Sequence, residues 1–179
     1  SGAVWVNGEL FPGFWYHVAL ANNLSQLGIA ANQLDRGLGT GATVWWMPTT
    51  HEFGPNGSYG DWDYHEKLAT RFGLSTARSR ENRQLQSNTS PENTQIKLAD
   101  SLNVFDPGSL APGVTVNEVD YRVLATDWAV KYRGIFAQFE YYNRWLDSFD
   151  ADGPIPVTDI HDHGYYVQAV FFPIKKKVG

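Results

Sequence analysis

The sequence predicts an all-β protein of about seven antiparallel strands. Three observations predict it. Apolar and polar residues alternate with period 2 over long stretches, while the 3.6-residue period of a helix is nearly absent. The connections between these stretches alternate between tight turns and long loops, the rhythm of hairpins joined in sequence. Aromatic residues make up 15% of the chain, with 7 Trp, 9 Tyr and 10 Phe, and such residues favour strands.

The first candidate strand, 3–10, carries Val4-Trp5-Val6. The tight turn Phe11-Pro12-Gly13-Phe14 leads into 15–22, where Tyr16, Val18 and Leu20 oppose His17, Ala19 and Ala21. A long loop, 23–39, follows. Its segment Ser25 to Leu34 places Leu27, Ala30, Ala31 and Leu34 on one side, which reads as a helical turn within the loop. Strand 40–47 comes next, then a connection over 49–67, the one long segment on the short-turn side. In strand 68–80, Leu68, Thr70, Phe72 and Leu74 oppose Ala69, Arg71, Gly73 and Ser75. The longest loop, 81–119, leads to strand 120–132. The tight turn at Arg133-Gly134 opens 135–147, where Ala137, Phe139, Tyr141, Asn143 and Trp145 oppose Phe136, Gln138, Glu140, Tyr142 and Arg144. After the loop 148–162, strand 163–173 sets Tyr165, Val167, Ala169 and Phe171 against Gly164, Tyr166, Gln168 and Val170.

Composition narrows the function. A chain of 179 residues suits one domain spanning 1–179. Its 14 Lys and Arg against 19 Asp and Glu give a formal charge of −5, which argues against a nucleic-acid partner. Cysteine is absent, so disulfides and thiolate metal sites are excluded. Mean hydropathy is −0.36, and no apolar run approaches the roughly 18 residues of a membrane helix. No secretory leader pattern opens the chain, which enters strand sequence at Val4 and stops just after an apolar stretch. That pattern is expected of a piece of a longer chain.

Strand length separates a soluble sandwich from a membrane barrel. Several candidate strands run about ten residues or more, the length of a tilted crossing of the hydrocarbon, whereas ordinary strands average about five or six. Aromatics gather in two groups, as interfacial belts would. Phe11, Phe14, Trp15, Tyr132, Phe136, Phe171 and Phe172 lie by the short turns. Tyr121, Trp145, Tyr165 and Tyr166 lie toward the long loops. The predicted architecture is therefore an antiparallel transmembrane β-barrel, with apolar residues toward lipid and polar residues inside.

Several constellations could carry chemistry. His161-Asp162-His163 offers two imidazoles at i, i+2 on one side of an extended segment, with no evident third strong ligand. Asp150-Ala151-Asp152-Gly153 resembles a fragment of a calcium loop without its closing Glu; Asp147, Asp159 and Asp162 lie nearby. No metal or cofactor is therefore expected, with Ca at this acidic loop as the one alternative. Arg78, Arg80 and Arg83 cluster where strand 68–80 leaves for its long loop, with Lys97 further along that loop and Arg36 in the loop 23–39. Arginine forks suit phosphate and carboxylate. His17, Arg71, Asp127, Lys131, Gln138, Glu140 and Arg144 fall on the expected inner face, where they would line a pore. Gly-x-Ser-x-Gly, Walker A and His-Glu-x-x-His patterns are all absent, so no catalysis is expected.

Pro91-Glu92-Asn93-Thr94-Gln95-Ile96 and Leu110-Ala111-Pro112-Gly113-Val114-Thr115-Val116 occupy the longest loop. Lys131-Tyr132-Arg133-Gly134, Glu140-Tyr141-Tyr142-Asn143-Arg144-Trp145-Leu146, Phe149-Asp150-Ala151-Asp152-Gly153-Pro154 and Asp162-His163-Gly164 follow in order. Together they resemble bacterial outer-membrane porins related to the phosphate-selective porin O and P type, mostly over 68–174. The resemblance implies a larger barrel of roughly 16 strands, a homotrimer set in outer-membrane lipid, and passive diffusion of small polar or anionic solutes. Basic residues in the channel and inward-folded loops are features of that family. This chain departs from it in having few loop lysines and an acidic loop at 147–162.

The expected function is thus a porin. A secreted β-sandwich that binds carbohydrate through exposed Trp and Tyr is the alternative, and a metal-dependent enzyme using His161 and His163 the third reading. A porin segment with seven strands would leave 3–10 and 163–173 unpaired with each other, because a bacterial barrel closes on an even number.

Overall fold

The computed structural model describes residues 3–22, 38–51, 60–82 and 96–175. They form one antiparallel sheet whose seven strands lie in chain order: β1 (Ala3–Phe11), β2 (Phe14–Asn22), β3 (Leu38–Trp46), β4 (Ala69–Asn82), β5 (Val116–Tyr132), β6 (Ile135–Ala151) and β7 (Asp159–Phe171). No helix occurs among the described residues. The sheet is not closed into a barrel: β1 and β7 are its edges and share no ladder. The helical turn expected at 25–34 lies outside the described residues.

Seven strands and both tight turns agree with the sequence pattern; boundaries shift by no more than one or two residues, except three that move by four. β5 begins at Val116 instead of 120, β6 runs to Ala151 instead of 147, and β7 begins at Asp159 instead of 163. The reason is local. Between the pairs Asp120↔Asp147 and Glu118↔Asp150, β6 carries one residue more than β5, and Ser148 takes a left-handed φ of 53°. This bulge and a second one beside Val116 break the period-2 pattern, so β5 and β6 continue where alternation stops; β7 has no bulge and starts at Asp159 because it pairs with β6 as far as Asp147. The hairpin at Arg133-Gly134 has φ of 46° and 84°, the pair of positive values that a two-residue type I′ turn requires.

Register divides the side chains into two faces. On the apolar face, Phe11, Phe14, Trp46, Phe72, Trp128 and Phe139 stand side by side on six successive strands. Ring centroids are 4.8 Å apart for Phe11 and Phe14, 6.0 Å for Trp46 and Phe72, and 5.8 Å for Trp128 and Phe139. The next row holds Tyr16, Val44, Leu74, Thr126, Tyr141 and Tyr165. Nothing among the described residues covers this face: Val4 is 70% exposed, Trp128 55% and Val167 63%.

Both buried clusters lie instead on the opposite, polar face. At the long-loop end, Ile96, Val104 and Phe105 pack with Val116, Val119 and Leu146, and with Tyr121 and Ile160, so the segment 96–115 folds over the sheet. Its own turns are held by Val104 N–H to Ile96 O at 3.1 Å and Gly108 N–H to Val114 O at 2.8 Å. At the short-turn end, Met47, Ala69, Ala129 and Phe136 cluster with Trp15 and Val170. A strap at 60–68 crosses this end. Its Asp61 is fully buried and accepts the Gly134 N–H at 2.6 Å, the His65 N–H at 3.1 Å, and a bond from the His65 ring. Arg133 N–H in turn donates to His65 O at 2.8 Å.

Register also corrects the two aromatic groups. Trp15, Phe136, Tyr121 and Tyr166 belong to the polar face, whereas Trp46, Phe72 and Trp128 belong to the aromatic row.

Candidate functional site

The polar face is open between its two buried ends, and its candidate residues gather there. β3, β4, β5 and β6 bring Thr43, Trp45, Arg71, Ser75, Asp127 and Glu140 around a cavity of about 290 Å³. The register is Trp45↔Gly73, Gly73↔Asp127 and Asp127↔Glu140. Gly73 matters because it has no side chain: a Cβ there would collide with the Asp127 carboxylate. The carboxylate instead leans across β4 to reach Arg71, Nη2 to Oδ2 at 3.2 Å, and the guanidinium sits 5.9 Å from the Trp45 ring centroid. Glu140 stands directly opposite Asp127, accepts a hydrogen bond from the Gln138 amide, and forms no ion pair among the described residues.

A second recess of about 440 Å³ lies nearer the long loops, between Ala99 of the folded-over segment and Tyr121, Val123, Tyr142, Arg144 and Asp162. Arg144 Nε donates to Asp162 Oδ2 at 3.0 Å, and its Nη2 meets the same oxygen. Tyr142 lies flat across Gly164, where a Cβ would come within 2.5 Å of its ring.

Of the residues expected at a pore, Arg71, Lys131, Gln138, Glu140 and Arg144 share the polar face. Lys131 is 3% exposed and lies beneath the short-turn cluster, 6.0 Å from the Phe136 ring. Arg78 and Arg80 stand on the other face, beyond the apolar rows. There Arg78 pairs with Asp120 at 3.1 Å, and Arg80 with Glu118 at 3.0 Å and Asp120 at 3.1 Å. Arg122 and Asp147 extend this network. Arg83 lies outside the described residues, as does Arg36. The parity signal was available: Arg78 is seven residues from Arg71, so a period of 2 puts them on opposite faces.

The candidate metal ligands fall in separate places. His161 and His163 stand together on β7, ring centroids 5.9 Å apart, on the apolar side of the register, and His163 also borders the second recess. The His161 ring stacks on Trp145 at 5.0 Å, and its Nε2 lies 3.1 Å from Asn143 Oδ1. Asp152 Oδ1 accepts the Thr115 N–H at 2.7 Å, fastening the end of β6 to the folded-over segment. Asp150 pairs with Glu118 in the ladder. No group of three or more His, Asp or Glu suited to hold a metal occurs among the described residues.

Outside the strands, one titratable group is strongly placed. Burial pushes the Asp61 carboxyl up, but the bonds from His65 and Gly134 outweigh it and hold the group below its ordinary range. No family model, curated protein or solved structure matches this chain.

Proposed function

We propose that this chain forms part of the wall of an outer-membrane porin and that small hydrophilic solutes diffuse along its polar face. One observation carries the reading. Among the described residues, the segments 60–68 and 96–115 and both buried clusters lie on the polar face, while the apolar face is bare across all seven strands. A soluble sandwich would do the reverse, packing its apolar face against a second layer and leaving the polar one to water. A sheet with apolar residues outward and ion pairs inward suits lipid on one side and an aqueous channel on the other.

Strand dimensions support the same reading. From Tyr132 to Leu124, β5 presents an apolar stretch of about nine residues, the span of a tilted strand through hydrocarbon. The charged network of Arg78, Arg80, Glu118, Asp120, Arg122 and Asp147 follows immediately, at headgroup level. The open edges of β1 and β7 would then pair with further strands, since unpaired backbone groups facing lipid cost several kcal/mol each. The motif resemblance supports a trimeric assembly and passive transport, without catalysis or a cofactor.

Reconstitution into lipid vesicles tests the proposal. Solute-dependent swelling with small sugars, and discrete conductance steps in planar bilayers, are expected. A protein that stays monomeric in detergent-free buffer, binds glycans there and conducts nothing would overturn it in favour of the carbohydrate-binding sandwich.

A further inference from the structure

We infer that Glu140 is the residue that sets the ion preference of the channel, and that the preference is for small cations over anions. This rests on the channel reading above and names its solute class.

Arginines lining a channel attract anions only while their charge is uncompensated. Both arginines at the open part of the polar face carry a carboxylate: Arg71 pairs with Asp127 at 3.2 Å, and Arg144 with Asp162. Lys131 is buried at the short-turn end and presents no charge to the cavity. Arg78 and Arg80 are on the far face and are paired there.

The carboxylates are not balanced in the same way. Asp127 is committed to Arg71 because Gly73 leaves it room to lean over β4. Glu140 is its direct neighbour in the ladder, with a neutral partner, the Gln138 amide, and no cation. Three charged groups therefore line the 290 Å³ cavity, and their sum is one negative charge, held by Glu140. Its level on the sheet lies beside the aromatic row of the apolar face, about midway through the expected hydrocarbon span. A fixed charge there stands beside the low-dielectric wall that the hydrocarbon span would form, so it is screened less than charge at the mouth.

The test is the reversal potential of the protein in planar bilayers under a KCl gradient, at about 0.1 M salt, where the Debye length of about 10 Å leaves the charge effective. Wild type is expected to prefer K⁺ to Cl⁻. Glu140→Gln, nearly isosteric, is expected to abolish the preference while single-channel conductance persists, since the neutral Arg71–Asp127 pair remains. Glu140→Asp is expected to restore it. Arg71→Gln is expected to increase it, because two carboxylates then stand uncompensated. Arg122→Gln, on the other face, is expected to change nothing.

Each failure has its own meaning. Anion preference in the wild type overturns the inference and leaves the channel reading standing. So does a cation preference that survives Glu140→Gln. Absence of any conductance in the wild type overturns the channel reading itself. Unchanged conductance in Glu140→Gln distinguishes a selectivity role from loss of folding.

Discussion

Gly73 and Asp127 face each other across β4 and β5 so closely that the smallest side chain at 73 would occupy the place of the Asp127 carboxylate. That vacancy steers Asp127 toward Arg71 and leaves Glu140 alone beside it.

Gly73→Ala should therefore destabilise the protein by about 1–3 kcal/mol through overpacking. The same substitution in an Asp127→Ala background should cost markedly less, because the colliding group is gone. Urea unfolding in detergent micelles, read as a double-mutant cycle, measures the coupling. Equal costs in both backgrounds would refute the steric account.

Facing predicts opposite responses to one added charge. Phe139→Arg, in the aromatic row, should cost about 2–4 kcal/mol of stability in the bilayer. Ser75→Arg, lining the cavity on the polar face, should cost little and change conductance instead. Folding titrations in lipid vesicles compare the two, and a cheap Phe139→Arg would sink the lipid assignment.

Trp45 and Trp46 are neighbours in sequence on opposite faces. In single-Trp variants, brominated lipid should quench Trp46 and Trp128 strongly and Trp45 weakly. Aqueous iodide should show the reverse order for Trp45 and Trp46. Equal quenching of Trp45 and Trp46 by lipid would contradict the register.

Asp61 links stability to acid. Its folded pKa lies below the unfolded one, so its contribution is present above the ordinary carboxylate value and disappears as pH falls through the folded value. The wild type should lose stability below about pH 4, and Asp61→Asn should lose much of that dependence. Asp61→Ala should cost about 1–3 kcal/mol at neutral pH, because the buried Gly134 N–H would lack an acceptor. Thermal melts across pH read both effects.

Strand number, order of connections and face assignments along β6 and β7 were legible because alternation is strict there. The start of β5 and the end of β6 were not, since bulges at Val116 and Ser148 interrupt the period where polar residues dominate. The aromatic groups were sorted by distance from the turns, which mixes faces: Trp15 and Phe136 flank a turn yet point to the polar side. Ion pairing was illegible for a different reason. Nothing in the spacing of Arg71 and Asp127, 56 positions apart, announces that Gly73 clears the path between them; that follows only from register. Expected pore candidates Arg78 and Arg80 were separable from Arg71 by parity alone, and their acidic partners again needed the ladder.

The chain-order arrangement of the strands has a kinetic consequence. Every ladder joins segments adjacent in the chain, so the cost of bringing two strands together depends only on the connection between them. The Arg133-Gly134 turn brings together 15 residue pairs of β5 and β6 with almost no loop to close. That hairpin is the natural nucleus. β4 must cross a far longer connection to dock on β5, and β3 is separated from β4 by the segment that holds the Asp61 strap. Assembly should proceed outward from β5–β6, with the strap locking its turn once β4 arrives. Gly134→Val, which a φ of 84° and the nearby Phe172 carbonyl disfavour, should slow formation of the sheet by nearly as much as it weakens the finished one, whereas an equally costly change in β1 should mainly speed unfolding.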